Sequence, residues 1–270
     1  MENRPLVSVI MGIYNCADTL DEAIESILAQ TYDNWQIIMC DDASTDSTYL
    51  VAQKYIEKYP EKFVLLKNEK NLGLNATLNK CLKYAKGEYI ARMDGDDISL
   101  PDRLKKEVDF LNINKEYAIV STQMGYFDKN GMFGQSHDNI KPRLKDMVKG
   151  TPHCHAPCMV RKKAYLDVDG YSVEKKLLRV EDYDLWIKMY TKGYRGYNLP
   201  EVLYMMRDDR NATKRRKYRY RINEAYVRFK SIKCLKLPMY NIIYCVRPLI
   251  LGLIPTFIYE KLHKKRIGND

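Results

Sequence analysis

Leu6 to Met11 is a continuous apolar run apart from Ser8, the length expected for a strand buried on both faces. Leu20, Ala23, Ile24, Ile27 and Leu28 then recur at helical spacing, with Asp18 as the expected N-cap. The alternation repeats. Trp35–Cys40 predicts a second strand, and Ser44-Thr45-Asp46-Ser47 caps a helix carrying Leu50, Val51, Tyr55 and Ile56. Phe63–Leu66 predicts a third strand. Leu74, Leu78, Cys81, Leu82 and Ala85 predict a third helix stopped by Gly87, and Tyr89–Met93 a fourth strand.

Four strands separated by three helices predict an α/β fold, a mostly parallel sheet with helices on both faces. Ligands of such sheets bind beyond the carboxyl ends of the strands. Three of those ends carry Gly12-Ile13-Tyr14-Asn15, Asp41-Asp42 and Asp94-Gly95-Asp96-Asp97, so polar and acidic groups converge on one edge. Further on, a helix opens at Pro101-Asp102-Arg103 and runs to about Leu111. Strands are expected over Ala118–Phe127 and Leu199–Met206, with a helix over Glu181–Tyr190. Between residue 131 and Arg179 the pattern is irregular. After it come a basic segment, Arg207–Lys236, and an apolar one, Leu237–Tyr259.

Charge sharpens this division. The chain has a net charge of +10, yet residues 205–270 hold 17 Lys and Arg against 5 Asp and Glu, leaving the other 204 residues at −2. An anionic partner is therefore expected at the tail. Seven cysteines without a CxxC pair read as reduced thiols of a cytoplasmic chain. Residues 1–5 lack the features of a secretory signal. No run of about 20 apolar residues predicts a membrane span. The 22 tyrosines suit a sugar-binding cleft, although codon bias yields the same excess.

Asp94 and Asp96, one residue apart at a strand end, can chelate Mg²⁺ or Mn²⁺ on a diphosphate, and Gly95 permits close approach. Asp42 can accept hydrogen bonds from a base or a ribose, and otherwise begins a turn. Glu181 and Asp182 open a helix, where the dipole favours acids and a general base would be held rigidly. His153-Cys154-His155-x-x-Cys158 lacks the spacing of the usual zinc fingers. Neither a GxGxxG after the first strand nor a GxxxxGK[ST] is present, which disfavours a dinucleotide site and an ordinary P-loop. Asn75-Ala76-Thr77 and Asn211-Ala212-Thr213 match glycosylation sequons that a cytoplasmic chain would not use.

Taken in order, Val7–Asn15, Ser26–Tyr32, Asp41–Asp46, Asn71-Leu72-Gly73, Gly87–Ala91, Asp94–Asp97, Pro101–Leu104, His155, Arg161, Gly170-Tyr171 and Glu181–Trp186 resemble the family 2 glycosyltransferases of GT-A fold, across about residues 6–207. The resemblance implies an inverting, metal-dependent transfer of a sugar from a UDP-sugar or other nucleoside-diphosphate sugar to an acceptor hydroxyl, in surface-polysaccharide assembly. It implies nucleotide contacts at Gly12, Tyr14, Asn15, Asp42, Asn71, Asp94 and Arg207. Mn²⁺ or Mg²⁺ is expected on Asp94 and Asp96. Asp182 is expected as the base beside Glu181, with His155 and Trp186 on the acceptor side. A catalytic domain is expected over residues 1–206, its nucleotide half about 1–100 and its acceptor half about 101–206. Residues 207–270 form a helical appendage.

The sequence lacks a QxxRW motif and a bundle of spanning helices, which disfavours a processive synthase. A glycan or lipid-linked acceptor is expected, with the tail against the inner face of the membrane. Two other classes share some of these features. A sugar nucleotidyltransferase would place a Gly-rich basic loop after the first strand, where Gly12–Asn15 has none. A nucleic-acid binder is suggested by the basic and aromatic run Lys214–Arg221, but the strand-end acids oppose it and no nucleic acid is expected.

Overall fold

A computed structural model of the protein describes residues 4–208 and 217–254. The first half follows the apolar periodicity closely. Strands β1 (Val7–Ile13), β2 (Trp35–Asp41), β3 (Phe63–Lys67) and β4 (Tyr89–Arg92) alternate with helices α1 (Ala17–Leu28), α2 (Thr48–Lys58) and α3 (Leu74–Tyr84). They are followed by β5 (Ile98–Ser99), α4 (Arg103–Ile113), β6 (Ile119–Asp128), β7 (Gly131–Gln135), β8 (Met159–Arg161), α5 (Lys162–Asp167), α6 (Glu181–Thr191), β9 (Gly196–Arg207), α7 (Tyr218–Cys234) and α8 (Ile243–Leu253).

The sheet order is β3-β2-β1-β4-β8-β6-β9-β5, with β7 hydrogen-bonded to β6. β3, β2, β1 and β4 are parallel, because each helical crossover returns the chain to the same edge. β8 then runs antiparallel to both β4 and β6, so β6 points the same way as β4, and β9 is parallel to β6. This mixed second half is the part that alternation of strand and helix could not reveal.

Each face of the sheet has its own core. Leu20, Ile24 and Ile27 of α1, Val51 and Tyr55 of α2, and Leu104, Val108 and Leu111 of α4 pack on Val7, Val9, Met11, Ile37 and Met39. On the other face Leu78 and Cys81 of α3, Tyr165 of α5 and Trp186 of α6 cover Ile10, Ile38, Ile90 and Val160. Gly12 allows α3 to lie close to β1, since a Cβ there would meet Leu74 Cδ1 at 3.0 Å and Thr77 Cγ2 at 3.3 Å.

Several boundaries differ from expectation. Asp18 lies in the first turn of α1 and does not cap it. The N–H groups of Cys16 and Ala17 are instead satisfied by Thr48 Oγ1 (2.8 Å) and Asp46 Oδ2 (3.2 Å), across the loop that starts α2. β9 begins at Gly196 and extends through Arg207, so the expected boundary at 206 cuts its last residue. The stretch expected to be irregular contains β7, β8 and α5. β8 has only three residues, too few to show a period.

Part of the expected appendage is integral to the fold. Val227 and Ile232 of α7 are buried, Arg228 donates to the Val148 carbonyl (3.0 Å), and Lys230 pairs with the buried Asp184 of α6. Pro248 lies within α8, which remains helical around it. Among the described residues no helix is long and apolar enough to cross a membrane. The sequon at Asn211, the first three residues of the basic run (Lys214–Arg216) and the apolar residues from 255 onward lie outside the described residues.

Candidate active site

The carboxyl ends of β1, β2 and β4 stand side by side, because Gly12 pairs with Cys40 and Ile10 with Arg92. β2 delivers Asp41 and Asp42, and the chain turns sharply at Ala43, whose φ is +61°. Such a conformation is strained for a side-chain-bearing residue and is often found at functional sites. Asp42 accepts hydrogen bonds from Asn68 Nδ2 (2.8 Å) and from the backbone N–H groups of Leu72 (2.9 Å) and Gly73 (2.8 Å). A carboxylate has about four acceptor positions, so Asp42 ties the 68–73 loop to β2 and keeps capacity for one more donor. Gly73, at φ +85°, provides the left-handed turn that aims these N–H groups. Asn71 is exposed on that loop.

At the end of β1, Tyr14 stands 47% exposed. Asn15 accepts from the Thr45 N–H (2.8 Å), while its own N–H donates to Ser44 Oγ (3.1 Å). Asn15 thus joins the β1 and β2 loops and holds the edge in shape.

The acids after β4 have separate environments. Arg92 Nη2 pairs with Asp94 at 2.6 Å to Oδ1 and 2.9 Å to Oδ2. Asp97 is buried, accepting from the Tyr204 hydroxyl (2.9 Å) and the Arg207 N–H (2.8 Å), and burial with the two neighbouring acids holds its carboxyl well above the usual range. Tyr204 Oη also accepts the Asp94 N–H (3.2 Å). Asp96 faces the solvent-accessible edge. Desolvation by its surroundings and the adjacent Asp94 push its carboxyl up. Gly95 is packed against α1, where an added Cβ would lie 2.8 Å from Cys16 Sγ.

Two neighbouring carboxylates at an open edge could share a hard divalent cation with phosphate oxygens, which needs no cage of protein ligands. Among the described residues no group of three or more His, Cys, Asp or Glu forms such a cage. Arg207 lies beside these acids. Its Nε donates to the Asp96 carbonyl (2.9 Å), its guanidinium sits 4.5 Å over the Phe127 ring, and it pairs with Glu22 of α1.

α6 supplies the two acids expected to be catalytic. Asp182 lies in its first turn, partly buried, and desolvation followed by the adjacent Glu181 pushes its carboxyl up to about 6. Glu181 Oε2 is buried without a partner. His155 Nε2 is hydrogen-bonded to the Tyr171 hydroxyl (2.9 Å), and burial with the nearby Arg92 keeps the ring neutral. Trp186, expected toward the acceptor, is fully buried and meets His153 and His155 edge-on at 5.5 and 5.6 Å. It supports His155 and cannot itself touch a sugar. His153 is bonded at both ring nitrogens, to Asn198 (2.7 Å) and Tyr190 (3.0 Å), so a zinc role is closed to it.

Sequence reasoning missed Arg92, Asp138 and Tyr204. Arg92 left a signal, a cation inside an otherwise apolar strand. Asp138 accepts from Cys154 Sγ (2.7 Å), and burial, followed by Asp138 and then Asp182, raises that thiol. The Asp138 contact with Cys154 depends on where β7 returns the chain and was invisible in the sequence.

The sequence profile of glycosyl transferase family 2 matches residues 8–169, which contain β1 to β4 and the acids at their ends. The chain belongs to this family. The putative glycosyltransferase EpsE of Bacillus subtilis is 46% identical over 270 residues, covering 100% of this chain and 97% of that one. Escherichia coli WfaP, a UDP-Glc:α-D-GlcNAc-diphosphoundecaprenol β-1,3-glucosyltransferase, is 32% identical over 207 residues, 74% of this chain and 76% of its own. Two solved structures share the fold of this family 2 glycosyltransferase. Staphylococcus aureus TarS 1–349 with UDP-GlcNAc has a TM-score of 0.67 at 18% identity, covering 97% of this chain and 88% of its own. The mannosyltransferase PcManGT of Pyrobaculum calidifontis with GDP-Man and Mn²⁺ has 0.62 at 19%, covering 98% and 81%. The GT-A type α/β architecture expected from the sequence is therefore the one observed.

Proposed function

We propose that this glycosyltransferase moves a hexosyl or N-acetylhexosaminyl group from a UDP-sugar to an acceptor hydroxyl with inversion, during assembly of a surface polysaccharide. One observation carries the reading. Asp42, Asp94 and Asp96 share a sheet edge, while a rigidly mounted Asp182 has a carboxyl balanced near neutrality. The UDP-glucose donor and diphosphoundecaprenol acceptor in the name of WfaP, UDP-GlcNAc on TarS, and Mn²⁺ on PcManGT support it.

In this reading Tyr14 stacks on the base, Asp42 accepts from it with its remaining position, and Gly12, Asn15 and Asn71 shape that end of the cleft. Asp94 reaches the ribose and, with Asp96, would hold Mn²⁺ or Mg²⁺. The bound cation supplies charge neutralisation at the departing diphosphate. Arg207 exchanges Glu22 for the diphosphate. Asp182 takes the proton of the acceptor hydroxyl as its oxygen attacks the anomeric carbon opposite the leaving group, and a single displacement inverts that centre. Glu181 and His155 orient the acceptor. A lipid-linked acceptor would place the enzyme at the inner face of the membrane, with its C-terminal helices toward the lipid.

Release of nucleoside diphosphate from UDP-, GDP- and dTDP-sugars, with and without chelator, tests the proposal, together with the anomeric configuration of the product. Turnover with none of these donors, or an α-linked product from an α-linked donor, would sink it.

A further inference from the structure

A second concave site lies away from the candidate active site. A recess of about 520 Å³ is lined by Tyr117, Lys141, Arg143, Lys145 and Arg195, with Pro142, Leu144 and Gly196 completing its wall. That volume falls within the range of small-ligand sites. Four of the eight lining residues are cations and none is an acid. Asp146, next to Lys145 in the chain, is already engaged by the Arg143 N–H (3.0 Å), Arg143 Nε (3.3 Å) and Lys149 Nζ (3.4 Å).

Topology separates the recess from the donor edge. Ile90 of β4 and Ile119 of β6 both pair with Val160, and the two strands point the same way. Tyr117 lies two residues before that level and Asp94 four residues after it. Six residues of extended chain place the two sites roughly 20 Å apart along the strand direction.

The wall is preorganised. Asn198 Nδ2 donates to the Asn139 carbonyl (2.7 Å), the Asn198 N–H donates to Ile140 O (2.9 Å), and Gln123 Oε1 accepts the Asp138 N–H (2.8 Å). Lys141 Nζ stands 5.8 Å over the Tyr197 ring, and Arg195 Nη1 is fixed by the Tyr194 carbonyl (2.8 Å). Arg143 is already paired with Asp146, whereas Lys141, Lys145 and Arg195 add positive charge to the wall that an entering anion would offset.

Its neighbour on the chain indicates where the anion comes from. The short 3-10 helix Leu144–Val148 borders the recess through Leu144 and Lys145, and buries Val148 against Ile232 of α7 and Cys245 of α8. α8 leaves Ile243 (69%), Val246 (47%), Ile250 (57%) and Leu253 (74%) exposed, and Tyr240 just before it is 76% exposed. These positions recur at helical spacing, so they share one face. Arg247 is exposed on the same helix.

We propose that the recess binds a phosphate group, and that the group is the headgroup of an anionic phospholipid on which α8 rests its apolar face. The recess thereby adds a specific contact to the expected approach of the C-terminal helices to lipid, on which this inference rests. An apolar helix face beside cations suits an anionic bilayer surface, where each basic side chain strengthens attachment.

Flotation of the full chain with phosphatidylglycerol-containing and pure phosphatidylcholine vesicles tests this. The Lys141→Ser/Arg143→Ser/Lys145→Ser variant changes only exposed side chains. It is expected to lose on the order of 100-fold in partition to the anionic vesicles, about fivefold per cation, with the UDP-induced thermal shift unchanged. Ile243→Ser/Ile250→Ser should lose partition to both vesicle types. Inorganic pyrophosphate, followed by thermal shift, forms a separate arm. A stabilisation by pyrophosphate that the triple variant abolishes, with flotation unaltered, would assign the recess to a free anion and overturn the lipid assignment. Undiminished flotation of the triple variant without any pyrophosphate effect would overturn the site altogether. Sugar transfer to a soluble acceptor is read independently, so failure of the enzymatic reading would be distinguishable from either result.

Discussion

Replacing Asp182 with Asn keeps size and much of the hydrogen bonding but removes basicity. Loss of a general base costs about 10²-fold or more, so turnover should fall by at least that factor while UDP affinity hardly changes. The same substitution has a second, opposite consequence. The Asp182 carboxyl stands at about 6 against an ordinary 3.8, so the folded state resists its ionisation. Below about pH 3.8 the group is protonated in both folded and unfolded chains, and its ionisation costs nothing. The cost grows as pH rises to about 6 and is constant above that. At about 1.4 kcal/mol per pH unit it reaches on the order of 3 kcal/mol, an upper value because the carboxyl is only partly buried.

Asp182→Asn should therefore stabilise the protein by on the order of 1–3 kcal/mol at pH 7.5 and by nearly nothing at pH 4. Each kcal/mol is worth about 2–4 °C in Tm for a chain of this size. Paired denaturant titrations at the two pH values provide the stability measurement, and a transfer assay at saturating acceptor provides the rate. In the unmodified enzyme kcat/KM should rise with pH through about 6. A stability difference that does not change with pH, or a variant that retains most of its rate, would refute the assignment.

Glu181→Gln removes the like charge beside Asp182, so the acid limb of the kcat/KM profile should move to lower pH with a much smaller loss of rate. Asp96→Asn should abolish the part of the UDP-induced Tm shift that requires Mn²⁺; a shift that persists at full size, or that chelator never affected, contradicts the metal assignment. Asp42→Ala leaves three donors without their acceptor, and should lower stability by about 2–4 kcal/mol in urea unfolding while weakening UDP binding in calorimetry. Gly196→Ala would place a Cβ 2.2 Å from His153 Nε2, breaking its contacts with Tyr190 and Asn198, and should cost about 2–4 kcal/mol by the same unfolding measurement.

The first hundred or so residues were legible because each element there announces itself. Strands buried on both faces are continuous apolar runs, helices keep their period, and parallel crossovers bring the acid-bearing ends to one edge. The rest of the chain gave less. β8 is three residues long and takes its place only by pairing with both β4 and β6, a long-range choice that no window of sequence contains. The cap of α1 failed for a related reason. Its donors are satisfied by Asp46 and Thr48, some 30 residues away, so the local candidate Asp18 was not needed. In the tail, apolar content was evident, but the division between Val227 and Ile232 facing inward and Ile243 and Ile250 facing outward depended on which neighbours α7 and α8 met.

The acids after β4 show why a motif alone underdetermines its chemistry. Asp94, Asp96 and Asp97 differ little as residues, and their partners separate them. Asp97 is spent internally, since its two acceptor bonds fasten the loop to Tyr204 and to the backbone of Arg207. Asp94 is half committed, sharing Arg92 yet remaining partly open. Asp96 alone faces the edge while bearing the repulsion of Asp94. Beneath them Arg103 donates to the Arg92 carbonyl (2.9 Å) and lies 5.2 Å from the Tyr204 ring centre, with only the buried Glu107 at 3.4 Å as its counter-charge. Burial pushes Glu107 up to about 8, and the Arg103 guanidinium beside it opposes that shift. Two buried arginines under three acids hold the loop in place without filling its outer acceptor positions. Those positions, on Asp96 and the open side of Asp94, are where the proposed divalent cation, carrying the diphosphate, would find oxygen ligands already oriented.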